Sequence, residues 1–145
     1  MKNKPIILVA GEPDSIFFEI FFKALRKNSY KSPLILICCK SLLIRQMKKF
    51  KFKKILNKLK IEDLKSINLN NKSINFININ LQNSSNIRSK NKITKTYINE
   101  SFKVAFQLIK NGISNKLING PINKKSFLNN KFYGVTEYIS NEFNT

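Results

Sequence analysis

The amino-acid sequence predicts an α/β fold, a mainly parallel sheet flanked by helices, in one unit spanning residues 1–145. Three observations predict it. Pro5–Ala10 and Leu34–Cys39 are continuous apolar runs of strand length, as expected of strands buried on both faces. Each run is followed by apolar residues at helical spacing. The resulting alternation of strand and helix requires parallel strands joined by right-handed crossovers. With 145 residues and 42% apolar content, the chain has the length of one domain and can bury a core.

After the first strand, Gly11-Glu12-Pro13-Asp14-Ser15 forms a turn, with Asp14 or Ser15 placed to cap the next helix. Ile16, Phe17, Ile20, Phe21, Ala24 and Leu25 carry that helix through about Lys27, and Asn28 and Ser32-Pro33 end it. After Leu34–Cys39, a helix begins near Ser41 and contains Leu42, Leu43, Arg45 and Met47. Phe50–Leu64 mixes lysines and acids with Ile55, Leu56, Leu59, Ile61 and Leu64, and reads as partly helical. Ile74–Leu81 alternates in part with period two, which predicts a strand with one polar face. Gln82–Lys92, rich in Asn and Ser, reads as a loop or flap. From about Thr94, Tyr97, Ile98, Phe102, Ala105, Phe106, Leu108 and Ile109 form an amphipathic helix that Asn111-Gly112 terminates. Lys116–Asn119 is the last short strand.

The formal charge of +19 raises a polyanionic partner. The composition offers another cause. Lysine, asparagine and isoleucine make up nearly half the chain, whereas arginine, the better phosphate reader, occurs only three times. All three favoured residues have A/T-rich codons, so a mutational bias raises charge without a nucleic-acid partner. No aromatic-basic recognition motif is present, and nucleic acid is the disfavoured reading. Lys2 and Lys4 precede an apolar run too short for a signal peptide, and no segment approaches the roughly 20 apolar residues of a membrane span. The expectation is a cytoplasmic protein without a membrane partner. Cys38 and Cys39 are adjacent, so on a strand they point to opposite faces and neither bridge nor share a metal.

Two segments near the end carry chemistry. Leu117-Ile118-Asn119-Gly120-Pro121-Ile122-Asn123-Lys124 takes an apolar strand through Gly-Pro into a polar pair. Gly120 allows close backbone approach, Pro121 fixes the entry angle and Ile122 turns toward the core. Asn123 and Lys124 suit a carboxylate or phosphate beside a helix start, or equally a capping Asn and a solvated Lys. Gly134-Val135-Thr136-Glu137 then opens another helix; Thr136 offers a hydroxyl, and Glu137 suits the positive end of that helix.

These residues resemble the 4-hydroxythreonine-4-phosphate dehydrogenase family of vitamin B6 biosynthesis, whose members carry Gly/Ala-Pro-Ile-Asn-Lys followed by Gly-His-Thr-Glu. A further match lies at Gly11, Pro13, Ile16 and Glu19, where the family has Gly-Asp-Pro-x-Gly-Ile-Gly-Pro-Glu. Glu12 stands at the family's Asp, Ser15 replaces a glycine, and Phe17-Phe18 replaces Gly-Pro. Val135 stands at the family's His, and the chain has no histidine.

The resemblance implies an incomplete isocitrate/isopropylmalate-dehydrogenase-like fold, the amino-terminal part of a longer homodimeric enzyme. It implies an NAD-dependent oxidation of 4-phosphooxy-threonine followed by metal-assisted decarboxylation, with a divalent Zn, Mg or Co. It also implies substrate contacts at Thr136, Val135, Lys124, Asn123 and Gly120, with Gly11 and Glu12 in the loop after the first strand. Catalytic residues, NAD-binding residues and metal ligands are not assigned within the chain. This polypeptide alone is expected to be inactive. Two other readings stand beside it: a degenerate phosphate-binding homologue, and a basic module binding RNA or another polyanion.

Overall fold

Five parallel strands form one sheet in the order β3-β4-β2-β1-β5 in a computed structural model that describes residues 3–144. Lys2, used above in judging the leader, and Thr145 lie outside the described residues. The strands are β1 (Ile6–Val9), β2 (Leu34–Cys38), β3 (Leu56–Lys58), β4 (Ile74–Asn78) and β5 (Leu117–Asn119). The helices are α1 (Phe17–Lys27), α2 (Lys40–Lys49), α3 (Ile87–Lys110), α4 (Lys124–Leu128) and α5 (Val135–Phe143).

Strands β4, β2 and β1 occupy the centre, where covered faces accept apolar side chains on both sides. Ile7, Val9, Ile35, Leu36, Ile37 and Phe76 are buried among them. The edge strands β3 and β5 have only three residues each and remain partly exposed. Right-handed crossovers put α1 and α2 on one face; α3 returns the chain in the opposite direction and covers β1 and β2 from the other. On the α1 face, Phe22 stacks on Phe52 at 4.6 Å between ring centroids. On the α3 face, Phe102 meets Phe127 of α4 and Tyr138 of α5 at 5.7 and 5.4 Å, which ties both short helices to α3.

Three expectations are corrected. Phe50–Leu64 contains strand β3 and a single 3-10 turn at Ile61–Asp63, because residues 56–58 gain a ladder with Ile74–Phe76 that outweighs local helix preference. Gln82–Lys92 is only partly a loop. Asn86 caps α3, its side-chain oxygen accepting from the backbone N–H of Arg88 at 2.9 Å and Ser89 at 3.4 Å, so the helix starts seven residues before Thr94. The strand read over Ile74–Leu81 stops at Asn78, and the asparagine in its middle does not face water. Asn75 is buried, donating to the carbonyls of Leu34 and Asn70 and accepting from the Asn57 amide. At the start of α1, Ile16 is the cap residue, while the Ser15 hydroxyl accepts from the Phe17 N–H at 3.3 Å.

Two helices end in the same motif. Gly112 follows α3 at φ +74°, its N–H bonding to Ile109 O and that of Ile113 to Leu108 O. After α2, Lys51 N–H bonds to Lys48 O and Phe52 N–H to Met47 O, and Lys51 adopts φ +50° where glycine is usual.

Candidate functional site

The strand order places a topological switch at β1. The chain leaves β1 toward β2 on one side, and β5 pairs with β1 on the other. Open α/β sheets bind ligands outside the carboxyl ends of the strands at such a point. The loops leaving β1 and β5 meet there and lock together. The Gly120 N–H bonds to Val9 O at 2.6 Å and the Glu12 N–H to Pro121 O at 2.8 Å. One Glu12 carboxylate oxygen accepts from the Asn123 N–H at 3.1 Å.

Both glycines are required by this contact. An ideal Cβ on Gly11, at φ +79°, would lie 2.5 Å from Pro121 O and 2.9 Å from Gly120 C. A Cβ on Gly120 would overlap the Ala10 carbonyl oxygen and lie 2.9 Å from the Phe17 ring. The close backbone approach read at Gly120 is therefore made by the chain's own first loop, and the space between the two strand ends is filled by backbone.

Beside this lock opens a cleft of about 360 Å³, bounded by the β1 loop, the first turns of α3 and the start of α4. Glu12, Asp14, Lys90, Thr94, Lys95 and Asn123 supply its polar groups. Lys90 and Asp14 form an ion pair at 3.2 Å, and both side chains are exposed, so the pair adds little rigidity. Two carboxylates, two ammonium groups and neutral donors in one cleft suit a small polar ligand carrying both signs of charge.

The structure brings Gly11, Glu12, Gly120 and Asn123 together in the loop lock; of these, Glu12 and Asn123 line the cleft, and the other candidates lie outside it. Asn123 caps α4, its side-chain oxygen accepting from the Ser126 N–H at 3.3 Å. Lys124 is the exposed first residue of α4. Val135 packs against the core at the start of α5, and Thr136 beside it is exposed. Glu137 folds its carboxylate back over Gly134 at the positive end of that helix. Sequence reasoning missed Lys90, Thr94 and Lys95 as a group, because the segment before Thr94 read as a loop. The signal available was Asn86, a strong cap residue one position ahead of Ile87.

Both thiols are free and buried, on opposite terms. Burial pushes the Cys38 thiol up, with Cys39 adding to it. For Cys39, burial also raises the thiol. The Ser41 hydroxyl and the backbone N–H groups of Leu42, Ser41 and Leu81 outweigh it and hold the group below the ordinary thiol value. Burial pushes the Tyr97 hydroxyl up; it accepts from the Cys39 N–H at 3.1 Å. Among the described residues, no three His, Cys, Asp or Glu side chains gather as a metal-binding group, and no helix is long and apolar enough to cross a membrane.

No family model matches the chain, and no curated protein matches it by sequence. Solved structures do. The crystal structure of a 4-hydroxythreonine-4-phosphate dehydrogenase from Burkholderia phymatum superposes with a TM-score of 0.76 at 18% identity, covering 97% of this chain and 43% of that one. The enzyme of the same name from Klebsiella pneumoniae gives a TM-score of 0.74 at 20% identity, with 97% and 44% covered. The chain has the fold of part of a 4-hydroxythreonine-4-phosphate dehydrogenase. It spans less than half the length of the solved chains it matches. The resemblance read from Gly120–Lys124 and Gly134–Glu137 thus has a structural counterpart over nearly the whole chain.

Proposed function

We propose that this chain is the amino-terminal α/β portion of a 4-hydroxythreonine-4-phosphate dehydrogenase, of isocitrate/isopropylmalate-dehydrogenase-like architecture. The whole enzyme would be cytoplasmic and dimeric. It would oxidise 4-phosphooxy-threonine with NAD and release CO2 with the help of a divalent metal. The observation that carries the reading is the lock between the Gly11-Glu12 and Gly120–Asn123 loops, built from the segments that match the family, in a fold shared over 97% of the chain.

In this reading Asn123 and Lys124, with Thr136, meet the phosphorylated substrate, and Glu12 positions the second loop through the Asn123 N–H. The donors present do not fit the metal: the chain has no histidine, and its described acids and thiols do not cluster. Nor do the residues at the switch point fit a dinucleotide, since backbone fills the space between Gly11 and Gly120. No step through either group is assigned to these residues, and the chain alone is inactive in this proposal. Val135, apolar at the family's His position and packed against the core, favours one second reading: a homologue that binds phosphate without redox chemistry.

The test has two arms. The purified chain, given NAD, Mg2+ or Zn2+ and 4-phosphooxy-threonine, should form no NADH. Mixed with the carboxyl-terminal portion of a solved relative, it should form NADH. Turnover by the chain alone would overturn the incomplete-site reading. Calorimetric binding of the substrate, with no turnover in either mixture, would favour the degenerate homologue.

A further inference from the structure

The opposite edge of the sheet carries a surface of different character. A groove of about 720 Å³ runs between the end of α2 and β3, lined by Ile44, Met47, Phe52 and Leu56 with Lys48, Lys51, Lys53 and Lys54. No acid lines it, and none of the four lysines forms an ion pair among the described residues. Lys48 lies in the last turn of α2, where the helix dipole accounts for a cation. The other three lie beyond the helix, where it does not.

β3 is also an unpaired edge. Ile55 O accepts from Ile74 N–H and Leu59 N–H donates to Phe76 O, so odd-numbered residues face β4. The N–H and C=O groups of Leu56 and Lys58 then face away from the sheet, because successive strand residues alternate. Ile55 beside them is 74% exposed. Lys51 adds an independent sign. It holds a left-handed conformation at the α2 terminus that costs a side-chain-bearing residue about 1 kcal/mol and glycine almost nothing. Strain kept at such a point is a pointer to use.

We propose that this groove binds an acidic, strand-forming peptide segment of a partner protein, added in line with β3. Its backbone would bond Leu56 and Lys58. Alternate apolar side chains would lie over Ile44, Met47 and Leu56, and carboxylates would meet the four lysines. A nucleic acid fits less well. The one aromatic lining residue, Phe52, has Phe22 stacked on it and the Arg26 guanidinium 5.4 Å from its ring centroid, so no open ring remains for a base.

The test uses a fluorescent synthetic peptide alternating glutamate and valine, about eight residues long to span β3, with oligouridylate as competitor. Saturable one-to-one binding is expected to weaken about tenfold or more in the K48Q/K53Q/K54Q variant. It should weaken less than about twofold in K65Q/K92Q/K131Q, a matched loss of charge elsewhere. Lys51→Gly separates use from packing: affinity should fall while the melting temperature holds or rises. N-methylation of alternate peptide amides should abolish binding. Equal weakening in both triple variants would overturn the proposal. Tighter binding of oligouridylate through the same lysines, insensitivity to N-methylation, or Lys51→Gly binding as well as the parent would do so too.

Discussion

Gly120→Ala is the sharpest test of the loop lock. The new methyl carbon would overlap the Ala10 carbonyl oxygen and lie 2.8 Å from Ala10 C and 2.9 Å from Phe17 Cδ2. Two of those three atoms are backbone, so no rotamer change relieves the clash. The end of β5 must move off β1 by more than an ångström. The bonds Gly120 N–H to Val9 O and Glu12 N–H to Pro121 O are then lost or lengthened, as is the one from the Asn123 N–H to the Glu12 carboxylate. Overpacking of this kind costs about 1–3 kcal/mol, and each bond about 1 kcal/mol net. Partial relaxation leaves a total of about 3 kcal/mol. For a chain of this size that lowers the melting temperature by roughly 6–12 °C, readable by far-ultraviolet circular dichroism. Gly112→Ala is the control: it meets nothing within 4 Å and carries only the left-handed penalty of about 1 kcal/mol. If Gly120→Ala melts within error of Gly112→Ala, the close approach of the two loops is not what the geometry says.

Further outcomes follow from neighbouring contacts. Asn71 accepts from the Leu34 N–H and donates to the carbonyls of Tyr30 and Ser32, so Asn71→Ala should cost about 2 kcal/mol in urea unfolding. No change in the midpoint would deny that clamp. Glu12→Ala should expose the Asn123 amide to faster hydrogen exchange. Glu12→Gln, which keeps an acceptor oxygen, should restore most of the protection, and equal exchange in both would remove Glu12 from its positioning role. Cys39, held below the ordinary thiol value, favours the folded state as thiolate. That stability is present above the ordinary thiol pH and is lost as pH falls through the lower folded value. Cys39→Ser should flatten this alkaline rise. Alkylation followed by peptide mass spectrometry should also label Cys39 before Cys38, and labelling of Cys38 first would contradict the assignment.

The strands and helices that carry the core were legible because their apolar patterns are strong. Ile6–Val9, Leu34–Cys38 and the apolar stripe from Tyr97 to Leu108 fall where periodicity puts them. β3 was not legible. Leu56-Asn57-Lys58 has no strand pattern of its own and is ordered by pairing with β4, a long-range contact that local sequence does not encode. The first turns of α3 were hidden for the opposite reason: they project past the core and need no apolar face, so only the Asn86 cap marks them. At the candidate site, the two glycine loops were visible as motifs. Their mutual contact was not, because it joins residues more than a hundred positions apart.

The asparagines show how composition and structure meet. A bias toward A/T-rich codons accounts for how many there are, yet it does not decide where each one is tolerated. Asn75 and Asn71 satisfy buried or half-buried backbone groups around the start of β2, and Asn86 and Asn123 cap helices. Asn129 and Asn130 take left-handed conformations after α4, as Lys51 does after α2. Asparagine is the residue that accepts that backbone most readily after glycine. The left-handed positions after α4 are thus held by asparagine, and the sequence has four glycines. Two of those four, Gly11 and Gly120, stand where a Cβ would strike backbone on the facing loop. No codon bias can replace them without separating β1 from β5. The loops that match the family are, on this argument, held by steric necessity within this chain. Their retention therefore testifies to the fold, and evidence for catalysis must come from the side chains around them: Glu12, Asn123, Lys124 and Thr136.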